Sequence, residues 1–77
     1  MDCKQIAKKY IKTLTEDEIK ELSNHPDFEY EEKWVLYYTY AKKRYVANTC
    51  MKLNISEKQF FIILREALTK LYYIAQL

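Results

Sequence analysis

No glycine occurs among the 77 residues, and proline occurs once, at Pro26. Short strands and hairpins draw heavily on both, so a chain without this punctuation points away from a sheet. Histidine also occurs once, as His25, and cysteine twice, as Cys3 and Cys50. Two distant thiols and one imidazole are too few ligands for a metal site, and both cysteines read as buried free thiols on helix faces. No apolar run approaches the ~20 residues of a membrane span, and the first residues are polar and charged, unlike a secretory signal. The expectation is a cytoplasmic protein with no membrane partner. Also missing are a paired-carboxylate site, a nucleophile with a His partner and a Gly-rich phosphate loop. No catalytic residue, cofactor or metal is therefore assigned, and the chain is not expected to be an enzyme.

What is present is apolar and aromatic. The hydrophobic fraction is 49%, and eight tyrosines, three phenylalanines and one tryptophan stand among the residues. Such a chain folds, as one all-α domain near the size where a single core is only marginally stabilising. A partner or a second copy would help it. The expected fold is a small four- to five-helix bundle with a C-terminal helix-turn-helix and a long last helix. Residues 1–26 would form an N-terminal helical part and residues 27–77 the helix-turn-helix part.

Charge is unevenly spread although the total is only +2. Six Lys face nine acids from Met1 to Lys33, whereas seven Lys and Arg face two acids from Trp34 to Leu77. A basic C-terminal half suits phosphate neutralisation, the main sequence-independent contribution to nucleic-acid affinity. Thr15 to Glu32, with eight acids and one Lys, would repel DNA. That stretch should face away from it, rest on a basic surface or meet a basic partner.

Taken in order, Asp2 can cap a first helix with Gln5 as its capping-box partner, placing Ile6, Tyr10, Ile11 and Leu14 on one face. Thr15 with Glu18 forms a second capping box, Ile19 and Leu22 anchor that helix, and Asn24, His25 and Pro26 end it. His25 reads as an exposed loop residue. Asp27 can open a third helix running to about Lys42, with Phe28, Trp34, Tyr37, Tyr38 and Ala41 inward. Its WVLYY core is apolar nearly all round, as a central helix would be. Aromatics at this spacing are usually core, and nucleobase stacking is the rarer use.

The best-specified stretch is Val46 to Leu71, VANTCMKLNISEKQFFIILREALTKL. Val46, Cys50 and Leu53 mark the inner face of one short helix; Asn54 can take the left-handed turn, and Ile55 plugs the corner. Ser56 with Gln59 makes a capping box for the next helix, whose inner face carries Phe60, Ile63, Leu64, Ala67, Leu68 and Leu71. Lys42, Lys43 and Arg44, the only basic triplet, precede this unit, where a phosphate contact and a plain soluble turn are both open.

From Glu32 to Ile74 the layout resembles the fourth conserved region of bacterial sigma factors: an aromatic-rich helix, a basic loop and a helix-turn-helix ending in a segment like LREALTKL. It is similar still more closely to the small phage transcriptional regulators of the ArpU and RinA type. Thr49, where these motifs usually place a larger aliphatic residue, Asn54 in place of Gly, and a basic loop without Gly depart from the pattern.

The resemblance implies a small transcriptional regulator that binds double-stranded DNA, with RNA polymerase and a second copy of the chain as further candidate partners. Its implied contacts are Ser56, Glu57, Lys58, Gln59, Ile62 and Arg65 on the recognition helix, Lys52 before it and Lys42, Lys43 and Arg44 in the loop. Phe61 and Ile62 stand where such helices often carry polar readers. They can touch thymine methyl groups. Alternatively, Phe61, Leu68, Tyr72 and Tyr73 form a protein interface that binds RNA polymerase, a sigma factor or the chain itself.

Overall fold

A computed structural model describes residues 2–77. Its helices are α1 (Cys3–Ile11), α2 (Glu16–Ser23), α3 (Tyr30–Leu36), α4 (Val46–Leu53) and α5 (Glu57–Ile74), with a wider π turn at Tyr37–Ala41 continuing α3. No strand occurs among the described residues, and none of their helices is long and apolar enough to cross a membrane. The chain is a small all-α bundle organised on the 18-residue α5. Helices α1, α3 and α4 pack against α5, and α2 closes over α3 and the π turn.

Local chemistry sets where the helices begin. Asp2 caps α1 by accepting from the Lys4 amide at 2.9 Å, a bond that lowers its carboxyl below the usual range. The partner expected at Gln5 does not engage. Before α2 the Thr15 hydroxyl accepts from the Glu18 amide at 3.2 Å, and the Glu18 carboxylate accepts from Thr15 N–H at 2.8 Å. Together they satisfy two donors that a helix start leaves orphaned.

The third helix departs from the sequence reading at both ends. Asp27 does not open it, because the backbone around Pro26 turns first: Asp27 N–H donates to His25 Nδ1 at 3.1 Å, and Phe28 N–H to His25 O at 3.1 Å. Helix α3 begins only at Tyr30. His25 is accordingly half-buried, its ring edge-on to Phe28 at 6.4 Å, and not simply exposed. At the other end the helix widens, with Lys42 N–H reaching back to Tyr37 O at 3.1 Å.

Two apolar clusters meet along α5. One joins Ala7 and Ile11 of α1, Ile19 of α2, Phe28, Leu36, Ala67, Leu68 and Leu71; the other joins Val35, Cys50 and Phe60. Leu64 packs against both. The fully buried residues of WVLYY are Val35 and Leu36, whereas Trp34, Tyr37 and Tyr38 are only half-buried along its flank. Burial thus selects the aliphatic pair and leaves the aromatic rings partly in solvent. Both cysteines are free thiols, with Cys50 buried and Cys3 half-buried.

A polar clamp links the start of α3 to the end of α5. The buried Glu32 carboxylate accepts from Lys70 Nζ and from Glu29 N–H, both at 2.7 Å, and Lys70 Nζ also donates to Asp27 O at 3.1 Å. Lys70→Met would strand that carboxylate and is expected to cost about 2–3 kcal/mol, less than a fully buried pair because water reaches the lysine. Urea titration measures the loss. The hydrogen bond to Glu32 raises the Lys70 pKa. The clamp's contribution is therefore complete below the ordinary lysine range and fades as pH rises through the raised value, so Lys70→Met should flatten the alkaline limb of the stability curve.

Thr49 is wholly buried, and its hydroxyl has no hydrogen-bond partner among the described residues. A near-isosteric methyl removes that unsatisfied group. Thr49→Val is expected to stabilise the domain by about 1 kcal/mol and raise its melting temperature by roughly 4–8 °C in calorimetry.

Candidate nucleic-acid interface

The α4–α5 junction is a tight, specified corner. Asn54 adopts the left-handed conformation at φ 58°, ψ 47°. Around it Ile55 N–H donates to Cys50 O at 3.0 Å and Asn54 N–H to Met51 O at 3.4 Å, the paired bonds that close a helix at a left-handed residue. Ile55 packs on the cluster of Val35, Cys50 and Phe60, as do Val46, Leu53 and Ile63. The Ser56 hydroxyl accepts from Gln59 N–H at 3.1 Å, and Gln59 Oε1 accepts from Ser56 N–H at 3.3 Å. Asn replaces Gly here because its short polar side chain tolerates this conformation.

Burial of Phe60, Ala67, Leu68 and Leu71 fixes the rotation of α5 and so determines what it shows to solvent. Glu57, Lys58, Gln59, Phe61, Ile62 and Arg65 are all exposed, as is Ser56 before them. Gln59 uses its carbonyl oxygen in the cap, which leaves its amide N–H groups free to meet an acceptor. Phe61 is 54% exposed and Ile62 38%, and Met51 of α4 is 82% exposed. The outward face at the start of α5 is therefore apolar at its centre and basic at Lys58 and Arg65. Burial pushes the Cys50 thiol up, with Glu57 adding to the shift.

The basic triplet divides into unlike parts. Lys42 pairs with Glu16 at the start of α2 at 2.5 Å, an interaction that raises the lysine and holds the carboxyl below its usual range. One acid of the acidic stretch, Glu16, thus meets the basic loop, whereas Glu32 pairs with Lys70 of α5. Lys43 takes the left-handed conformation at φ 53°, the backbone role that Gly would fill at lower cost. The Arg44 guanidinium stands 5.5 Å from the Tyr38 ring centroid, and Lys52 Nζ from α4 stands 5.6 Å from the same centroid. Trp34 stacks on Tyr38 at 5.3 Å. Loop and helix therefore deliver two cations to one aromatic anchor, an arrangement that spacing alone does not reveal because Arg44, Lys52 and Tyr38 belong to separate elements.

The apolar interface expected along α5 does not form one stripe. Leu68 is 6% exposed and packs in the core with Ala7, Ile11 and Leu71, so it is no contact surface. Tyr72 is half-buried against the same core, because α1 covers this flank of α5. Tyr73 is exposed at the far end, edge-on to Tyr72 at 5.2 Å. Phe61 and Ile62 are left as the apolar surface of the N-terminal half.

Fold and surface together define a small helical domain carrying a helix-turn-helix with a basic approach. The chain belongs to the family described as protein of unknown function (DUF1492), which matches residues 3–72. No curated protein and no solved structure matches it.

Proposed function

We propose that this protein is a small transcriptional regulator that binds duplex DNA through α4 and α5, with α5 as the recognition helix. The observation that supports this most is the exposed start of α5, with Lys58, Gln59, Ile62 and Arg65 outward, beside the paired cations Arg44 and Lys52. In this reading Gln59 and Ile62 meet base edges, Ile62 and Phe61 touch thymine methyl groups, and Lys43, Arg44, Lys52, Lys58 and Arg65 meet phosphates. Ser56 and Glu57 shape the entry of the helix, and Lys42, held by Glu16, contributes least. The resemblance of residues 32–74 to sigma-type helix-turn-helix regulators supports the same reading. Binding to duplex DNA measured across a salt series tests it. Five phosphate contacts predict a slope of log affinity on log salt of about −4 to −5. No affinity at low salt, or affinity indifferent to salt, would sink the proposal.

The exposure of Phe61 and Ile62 favours a second reading, in which this face docks on RNA polymerase, a sigma factor or another copy of the chain. Phe61→Asp separates the two. It should abolish protein association with helical content intact if this face is a protein interface, and leave association unchanged if it is not.

A further inference from the structure

A cavity of about 290 Å³ lies between α2 and α3, lined by Lys20, Ser23, Asn24, Lys33, Trp34 and Tyr37. None of these residues belongs to the α4–α5 surface. Trp34 and Tyr37 meet edge-on at 6.0 Å and supply an aromatic wall. Lys20 and Lys33 supply two ammonium groups, neither ion-paired among the described residues, and Lys33 Nζ stands 5.6 Å from the Trp34 ring centroid. The Asn24 amide, at the end of α2, offers both a donor and an acceptor, and the Ser23 hydroxyl, which donates to Lys20 O at 2.9 Å, retains an acceptor. The Trp34 indole Nε1 is buried without a hydrogen-bond partner among the described residues.

We infer that this cavity binds a single nucleotide, its base against the Trp34 and Tyr37 rings and its phosphate held by Lys20 and Lys33. Each part of the lining selects against a simpler ligand. A small inorganic anion would leave the aromatic wall unused, and an apolar molecule would leave two ammonium groups unmatched. Tyr38 already stacks on Trp34 and Lys33 Nζ stands over its ring, so the base takes the place of that ammonium, which turns to the phosphate. Paired bases in a duplex offer no open face for this, and the nucleotide is either free or unpaired within a strand. The size, at the lower limit of the ~300–1,000 Å³ of ligand sites, suits one base with its phosphate better than two. All four cation–aromatic contacts among the described residues fall on Trp34, Tyr37 or Tyr38, so this flank of α3 already pairs aromatic faces with positive charge. The inference is independent of the duplex-binding reading and survives its failure.

Trp34 is the sole tryptophan, so fluorescence excited at the red edge of the absorption band, where the eight tyrosines contribute little, reports on this wall. The protein is titrated in parallel with adenosine monophosphate, a short single-stranded oligothymidylate, inorganic phosphate and phosphotyrosine. Saturable quenching by the mononucleotide identifies a free nucleotide as ligand, and saturable quenching by the oligonucleotide alone identifies an unpaired one; either supports the inference. The double change Lys20→Ala with Lys33→Ala should weaken that binding by about tenfold or more while circular dichroism stays unchanged. The inference is overturned if neither nucleotide gives saturable quenching, if inorganic phosphate binds equally well, if phosphotyrosine binds more tightly, or if the folded double variant binds like the parent.

Discussion

Replacing Phe60 with Ala is expected to cost about 4 kcal/mol and to leave much of the purified protein unfolded at room temperature. Phe60 is the largest fully buried side chain, and it fills the space among Val35, Cys50, Ile55 and Leu64 where α3, α4 and α5 meet. A domain of this length has only roughly 4–12 kcal/mol in total, so one such cavity removes a large share of it. The neighbouring Phe61 has the same side chain on the opposite side of the burial boundary, 54% exposed. Phe61→Ala should therefore shift the urea midpoint by no more than about 0.5 kcal/mol in equivalent stability. Equal losses at the two positions would mean that α5 does not turn Phe60 inward and Phe61 outward.

The second large effect concerns the cations held on Tyr38. Changing Arg44 and Lys52 together to Glu is expected to weaken duplex binding by about 100-fold at low salt and to reduce the salt slope by about 2, the share of two phosphates. Stability should change little, since both side chains are exposed. Changing Lys42 and Glu16 together to Gln should have a much smaller effect on DNA, because the pair carries no net charge. A loss that is equal for this pair would instead make the triplet a generic positive patch. Tyr38→Phe should retain affinity, and Tyr38→Leu should lower it, since the ring and not the hydroxyl positions both charges.

How far the sequence is legible differs by element. Caps at Thr15 and Ser56, the turn at Asn54 and the inner face of α5 are encoded by neighbours three or four residues apart, and the structure reproduces them. The start of α3 is not, because His25 Nδ1 intercepts the Asp27 amide, a contact that capping rules for Asp do not anticipate. Leu68 illustrates a different failure. Its helical spacing puts it at the edge of two faces, and only the docking of α1, set by Ala7 and Ile11, decides that it is buried. The Lys70–Glu32 clamp spans 38 positions in the chain. No local pattern could have announced it.

The candidate surface was legible as a set of residues more than as an arrangement. Lys52, Lys58, Arg65 and the basic triplet could be named from spacing and charge, yet the sequence treated Lys42, Lys43 and Arg44 as equivalents. Their different uses, an ion pair, a left-handed turn and an aromatic-held cation, depend on α2 and α3 folding back on the loop. Trp34 and Tyr37 were read as core for a sound reason, since aromatics at helical spacing are usually buried. Their half-exposed edges arise because Val35 and Leu36 occupy the interior positions of the same turn.

The central claim is that duplex DNA meets the start of α5. Titrating isotopically labelled protein with a short duplex at low salt and following each backbone amide by nuclear magnetic resonance tests it residue by residue. The account predicts the largest shifts at Ser56 to Gln59, Ile62 and Arg65, with accompanying shifts at Arg44 and Lys52 and little change at Lys8 and Lys9 on the outer side of α1. Shifts concentrated on the α1 lysines or at Tyr73, with the start of α5 unmoved, would contradict it.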